Sequence, residues 1–346
     1  MGLLDRLWPR KSANTASADQ DTAQTRALVE RLTVLSPSLK LAHDYRERLR
    51  PALAQSIAYV SDVVMSLPPA REASAASWPS DPYIHAFFAA PDDVALALSR
   101  SPELHAWFDN HPLAREVYAV LAMTLTERRV FGVEQVGDTL HSDVAQITLS
   151  FDDHLVRVCG ESEADLREQI VRRVVEQIAL EGIARISAEE SRRDALVQER
   201  ALLKARLQLM TRHGAGTHSM LSERAPDDAT AAGSRLRIEA EIDANACALD
   251  ALGLKTDAIE HELDVICDVL SHPERHTNLE MKHVRLNAMN VVIDASADQP
   301  GNEIVFPLAQ LPASELGKRA FSLVRFARAD LLALATVLAE DSRFAI

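Results

Sequence analysis

A chain of 346 residues with 47% hydrophobic and 25% charged side chains has enough apolar surface for real cores, which excludes wholesale disorder. Aromatics at 5% and only 11 glycines favour helices over a β-sandwich, which needs aromatic strand residues and many glycine turns. A formal charge of −14 sets the whole-chain balance against displacing counterions from phosphates, so nucleic acid is not the expected partner.

The three cysteines, Cys159, Cys247 and Cys267, are widely spaced and form no CxxC pair, the pattern of reduced thiols in a cytoplasm. No run approaches the roughly 18 consecutive apolar residues of a membrane span. The apolar stretch at the N-terminus is too short for a signal peptide and is ended by Pro9.

Residues 1–24 read as a short amphipathic segment and a flexible linker. Leu3, Leu4, Leu7 and Trp8 share one side of a turn or two, beside Arg6, Arg10 and Lys11. That combination suits a tether, making weak contact with a membrane surface or seating in a partner's groove. Residues 12–24 carry no apolar face to bury and read as linker.

A helical domain is expected over 25–128. Leu49, Leu53, Ile57, Val60 and Val64 recur at helical spacing. Ser36-Pro37 and Ser101-Pro102-Glu103 have the form of serine-capped helix starts with proline at the first position. Pro68-Pro69 through Pro82 reads as a loop.

Over 129–186 the period changes. Ile147, Leu149 and Phe151 alternate with polar neighbours, and Asp152-Asp153 is expected to turn the chain back into Leu155–Val158 as a β-hairpin. Ser162-Glu163 then opens an apolar-rich helix with Leu166, Ile170 and Val174.

Residues 187–272 carry the strongest pattern. Ile238, Ile242, Leu249, Leu252, Ile259, Leu263, Ile266 and Leu270 fall on alternating three- and four-residue steps, broken only by Asn245 and Thr256. In the other arm Leu196, Leu203, Leu207 and Met210 share such a stripe with Arg193 and Arg200. Ser187–Arg212 holds six basic and four acidic residues (+2), and Arg235–Ser271 three basic and nine acidic (−6). Opposite balances favour pairing of the two arms as an antiparallel coiled-coil hairpin, with a mobile linker at 213–233. The polar seam positions would weaken a bare pair, so further helices, or a second copy, are expected to pack on it.

Residues 273–346 return to period two. Val284–Asp294, Glu303–Leu308 and Arg319–Phe326 read as a three-stranded antiparallel meander, followed by a helix over Ala329–Glu340. So small a sheet should pack on a helix or on the preceding hairpin. The fold class is therefore α+β, mainly α-helical.

No enzyme-grade motif is present: GxSxG, GxxxxGK[ST], GxGxxG and HExxH are all missing. His213 and His218 around Gly214-Ala215-Gly216 fit a helix stopped by glycine better than an anion loop. His272 and His276 have metal-ligand spacing, but Pro273 separates them and no ligand set completes them. Cys247 and Cys267 read as inert, with Cys159 a slightly better candidate for reactivity. Asp152, Asp153 and His154 form a polar cluster that a tight turn explains more simply than acid–base chemistry.

Asp294-Ala295-Ser296 with the later Gly301, and the strand containing Arg325, resemble in part the Asp-x-Ser-x-x-Gly pattern of PilZ-like cyclic-dinucleotide receptors. Here the glycine is displaced by two positions and no paired-arginine motif precedes the sheet. The resemblance covers at most the last seventy residues, and it implies a small-ligand sensor.

The leading expectation is a non-enzymatic interaction scaffold or regulator that engages protein partners, or a second copy of itself, through the hairpin and its acidic surface. The residues are Leu3, Leu4, Leu7 and Trp8 at the tether and Leu249, Leu252, Ile259 and Leu263 on the hairpin. No cofactor, metal or catalytic residue is expected. The expected location is cytoplasmic, or peripheral at the inner membrane surface. The alternatives are a small-ligand sensor using the C-terminal strands, for which clustered arginines would be the signature, and an enzyme with an unrecognised site.

Overall fold

A computed structural model describes residues 13–136, 139–216, 228–252, 258–293, 300–310 and 318–333. The fold is α+β and mostly helical, with an antiparallel sheet as its β component. The chain forms two compact units. One comprises Met1–Ala52 with Ala179–Leu270, the other Leu53–Ile178 with Ser271–Ile346.

The first unit is built from helices α1 (Ala13–Leu35), the start of α2 (Tyr45–Met65), the later part of α6 (Glu163–Gly216), α7 (Asp228–Ala251) and α8 (Ala258–Ser271). Its arms run antiparallel. Along α6, Gly182 lies against Ile266, Glu189 pairs with His261 at 3.0 Å, and Leu196 accepts from Asn245 at 3.1 Å. Over residues 187–211 of α6 the half-buried positions are Arg193, Leu196, Arg200, Leu203, Leu207 and Met210, the stripe read from the sequence. On α7 the matching stripe is Ile238, Ile242, Asn245 and Leu249, continued by Leu252 just past its end, and on α8 Leu263, Ile266 and Leu270 are fully buried.

The polar seam residues have structural roles. Asn245, 5% exposed, donates to the Leu196 carbonyl and to Glu199 across the seam, and Arg193 reaches the Leu252 carbonyl. Further helices cover α8, as the weak seam required. Ser36 and Ser38 donate to the buried Glu262, Arg48 pairs with Glu260 and Asp264, and the His43 amide donates to Glu260 at 2.7 Å.

Several readings are corrected here. Residues 13–24, read as linker, belong to α1. The apolar residues that hold the helix, Leu28, Val29 and Leu32, lie further along, and propagation beyond an anchored end costs little. Residues 213–216 and 228–233, read as linker between the arms, are helical, which shortens that connection to 217–227, outside the described residues. Residues 1–12 also lie outside them, with Leu3, Leu4, Leu7 and Trp8.

The second unit is organised by one six-stranded sheet, in which β2 (Glu116–Val136) and β3 (Thr139–Gly160) join β4 (Asn278–Leu286), β5 (Asn302–Gln310) and β6 (Arg319–Ala327) in the order β3-β2-β6-β5-β4. The short β1 (Arg71–Glu72) pairs parallel with β6 at Val324 and Arg325. The meander forms as expected and gains its support edge to edge, because β6 pairs with β2 from Glu116–Ala327 to Met123–Ala320.

The end of the helical domain expected over 25–128 is instead β2 from Glu116 onward. Val117 to Met123 is almost continuously apolar because this central strand is covered on both faces, so it shows no alternation. The expected turn at Asp152-Asp153 is a bulge within β3: Thr124 faces Asp152 and Ala122 faces Leu155, with Asp153 in the left-handed region at φ 52°. The true hairpin is β2 with β3, paired as far as Val136 opposite Thr139. The expected strand at Val284–Asp294 begins earlier and stops at Leu286. There Asn287 accepts from the amides of Met289 and Val291, forming an Asx turn. After β6 comes a 3-10 turn, Arg328–Asp330, and residues 331–333 are not helical; the rest of the expected last helix lies outside the described residues.

Helices α3 (Pro82–Phe87), α4 (Pro91–Ser99) and α5 (Pro102–Asn110) pack on one face of the sheet. The core there centres on Phe87, Phe151 and Phe306, whose ring centroids lie 4.9 to 6.4 Å apart. On the other face, Val120 and Leu323 pack with Leu166 of α6, and Leu67 borders them.

Two serine starts stand where expected, but neither hydroxyl caps its own helix. Ser101 Oγ instead accepts from the Val156 amide at 2.9 Å, tying α5 to β3.

Candidate functional site

A cavity of about 650 Å3 lies within the second unit, between the sheet and helices α2 and α6. Its size falls within the roughly 300–1,000 Å3 typical of small-molecule sites. Helical periodicity builds the two helical walls: Val60, Val63 and Val64 on α2, with Leu67 just past its end, and Ile170, Arg173, Val174 and Gln177 on α6, spaced by three and four residues. The sheet supplies the floor through Val120, Leu279, Val305 and Leu323, among others.

The two walls are joined at one end by Arg167. Its guanidinium donates to the carbonyls of Val64, Leu67 and Pro68, which close α2, and pairs with Glu163 at 2.7 Å. Glu163 in turn accepts from the Ala70 amide. Burial would raise the Glu163 carboxyl, but the bonds from Arg167 and Ala70 outweigh it and hold the group below its ordinary value. α6 is started firmly at this point. Ser162 accepts from the Asp165 amide while Asp165 accepts from the Glu161 amide, a reciprocal cap. Gly160 is required just before it, since a Cβ there would come within 2.7 Å of the Leu166 nitrogen.

The sheet itself is interrupted beside the cavity. β5 pairs with β6 only at Leu308–Ala320 and Ala309–Arg319, while β1 takes up the same edge of β6 at Val324 and Arg325. Tyr83 lines the cavity near this break, and its hydroxyl accepts from the Val305 amide at 3.2 Å.

Four arginines line the cavity: Arg71, Arg157, Arg173 and Arg319. Arg157 and Arg173 are well exposed, at 41% and 61%, and mark the mouth. Arg71 lies 4.0 Å over the Tyr83 ring and reaches Asp81 only at 3.4 Å, with its Nε buried and unbonded. Arg319 is 7% exposed; its two terminal nitrogens engage the Asp153 carbonyl and carboxylate, and its Nε is buried without a hydrogen bond. A buried donor left unmade costs about 1–3 kcal/mol, and two residues that line the cavity each carry one, out of reach of the cavity itself. Among the described residues the lining contains no carboxylate, imidazole, thiol or lysine, although the chain as a whole carries −14. Each of the four arginines is paired with a carboxylate outside the lining, Arg71 with Asp81, Arg157 with Glu103, Arg173 with Glu176 and Arg319 with Asp153, so the cavity has apolar walls and guanidinium groups whose charge is compensated. It holds hydroxyls (Tyr59, Tyr83, Thr277, Ser322) but neither a general base nor an activated nucleophile.

Elsewhere the candidate groups are occupied or inert. His154 donates to the Phe87 carbonyl at 2.8 Å and stacks on Phe88, and burial lowers its pKa. Burial pushes the Cys159 thiol up to about 12 and the Cys267 thiol up to about 11, while Cys247 is exposed. Cys159, read as the more reactive thiol, is thereby the most suppressed. His272 and His276 flank a 3-10 turn, and no metal-holding group of three or more His, Cys, Asp or Glu occurs among the described residues. His213 lies near the end of α6, which closes at Gly216. Arg325, in the strand that resembled PilZ-like receptors, is already paired with Glu72 and Glu116, and residues 294–299 lie outside the described set.

Of the predicted interaction residues, Leu249, Leu252 and Ile259 are half-buried and Leu263 is fully buried within the first unit. None belongs to the cavity. The arginines escaped sequence reading because they come from four separate elements, β1, β3, α6 and β6, with no common spacing. Compared with known proteins, the chain matches no family model, no curated protein and no solved structure. No described helix is long and apolar enough to cross a membrane.

Proposed function

We propose that this protein is a non-enzymatic small-ligand receptor, which binds its ligand in the cavity between the sheet and helices α2 and α6. The observation that carries the reading is a 650 Å3 space with apolar walls and arginines in place of catalytic groups. Convergent donors without a base or nucleophile favour holding a molecule over transforming it. The test is binding of the neutral apolar dye Nile red to the wild type and to Val174→Trp, which fills the cavity from the α6 wall. The expected result is saturable, roughly one-to-one binding to the wild type and at least a tenfold loss in the variant, with unchanged circular dichroism. Equal binding by both, or none by the wild type, overturns the receptor reading.

A second reading, a coiled-coil interaction scaffold acting in the cytoplasm, is favoured by a separate observation. Val197, Leu202 and Leu209 on α6 and Leu236 on α7 are exposed, at 46%, 72%, 56% and 66%, outside the seam that joins the arms. Apolar side chains on an outer helical face suit self-association or a protein partner. The two readings are compatible: the receptor unit senses and the hairpin engages partners, with residues 1–12 as a weak membrane or partner tether.

A further inference from the structure

We infer that the ligand is an uncharged amphiphile: a hydrocarbon body with one hydroxyl or amide head group, which sits against Gln177 at the end of the cavity remote from Arg167. This rests on the receptor reading and adds the chemistry of the ligand.

The lining offers nothing to an ion. Each of its guanidinium groups already has a carboxylate, from Asp81, Glu103, Glu176 or Asp153. The described lining holds no carboxylate or lysine of its own. A charged head group of either sign would give up water there without gaining a partner charge, which costs far more than burying a hydroxyl.

Polarity is instead divided between the two ends. Beside the Arg167 clamp the surroundings are apolar, with Leu67 and Ile170 packed against Val120 and Leu323 of the floor. Both helical walls lead away from that clamp. Gln177 lies about 15 Å beyond Arg167 along α6, at a rise of roughly 1.5 Å per residue. Tyr59 lies more than a turn before Val64 on α2, and its hydroxyl is 3.4 Å from that of Thr277. Thr277 directly precedes β4, whose first pair sets Asn278 opposite Gln310. Tyr59, Thr277, Gln177 and Gln310 all line the cavity, so its far end carries two hydroxyls and two amides, every one uncharged.

Gln177 is the partner of the head group. Thr277 already donates to the Pro273 carbonyl at 2.9 Å, and Gln310 is exposed. Gln177 is half-buried and makes no hydrogen bond to another described residue. Unlike the Nε atoms of Arg71 and Arg319, its amide is not sealed from solvent. An amide both donates and accepts, which matches a hydroxyl or a second amide. Elsewhere valine, leucine, isoleucine and proline dominate the walls, so a polar group midway along the ligand would be buried unpaired, and the body is hydrocarbon.

A head-group series on the full chain tests this by calorimetric titration with decan-1-ol, decanoate and decylammonium. The alcohol is expected to bind the wild type at least tenfold more tightly than either ion. Gln177→Leu is expected to weaken the alcohol fivefold or more while leaving Nile red within about twofold, a split that a merely structural role would not produce. Either ion binding as tightly as the alcohol overturns the uncharged class but leaves the receptor reading standing. A folded Gln177→Leu protein that loses alcohol and dye alike, or neither, overturns the assignment to this residue. Failure of all three compounds and of the neutral dye overturns the receptor reading itself. The series on the wild type needs no variant, so the uncharged class stays testable even if Gln177→Leu does not fold.

Discussion

Arg167 joins the two helical walls of the cavity through its hydrogen bonds, and its replacement by methionine tests that role. The side chain is 13% exposed and its charge is spent on three main-chain carbonyls and one carboxylate. Methionine fills much of the same volume but leaves the α2 carbonyls and Glu163 without their donor. Breaking a buried ion pair from one side costs about 3–5 kcal/mol. The lower end applies, because Glu163 keeps the Ala70 amide and its side chain is 33% exposed. At about 2–4 °C per kcal/mol for a domain of this size, roughly 3 kcal/mol corresponds to a fall of about 6–12 °C in melting temperature. Tryptophan fluorescence reads the right unit, since Trp78 and Trp107 both border its core. Glu163→Gln is the milder control, expected to cost about 1 kcal/mol, because Arg167 retains its carbonyl partners. Nile red affinity should fall with Arg167→Met as the walls loosen. A melting temperature within about 2 °C of wild type, with dye binding intact, would refute the clamp.

Three further outcomes follow from the same geometry. Because the folded pKa of His154 lies below its ordinary 6.5, the unfolded chain takes up a proton first as pH falls. Stability is full above pH 6.5 and declines below it by up to about 1.4 kcal/mol per pH unit, a slope that urea titrations should show flattened in His154→Gln. Native protein at pH 7.5 should react with a thiol reagent at Cys247 first, with Cys159 and Cys267 protected until unfolding. Rapid labelling of Cys159 would contradict its burial. If the outer face of the hairpin self-associates, Leu202→Glu with Leu209→Glu should lower the sedimentation mass without altering helicity, and an unchanged mass would remove that reading.

How much of this was legible in the sequence depended on how locally each feature is encoded. The α7–α8 seam and the stripe along α6 were readable because burial repeats every three or four residues, and even Asn245, the break in the series, proved to sit in the seam. The meander was readable because β4 to β6 alternate between strand and turn signals. β2 was not, since Val117–Met123 is covered on both faces and an all-apolar run has no period. Asp152-Asp153 has the residues of a turn, and only the long partner strand makes it a bulge. The cavity was invisible for a deeper reason. Clustered arginines near the sheet are the signature the sensor alternative called for, and Arg71, Arg157, Arg173 and Arg319 come together only in the tertiary fold, from elements distant in sequence.

The most direct test of the receptor reading is methyl-labelled NMR of the full chain during titration with decanoate and, separately, decan-1-ol. The account predicts saturable shifts at Val60, Val174, Leu279 and Leu323, which line the cavity, with Leu263 and Ile266 of the hairpin core undisturbed. Saturable binding of either compound that leaves those four methyl groups unshifted, or titrations showing no binding at all, would contradict it.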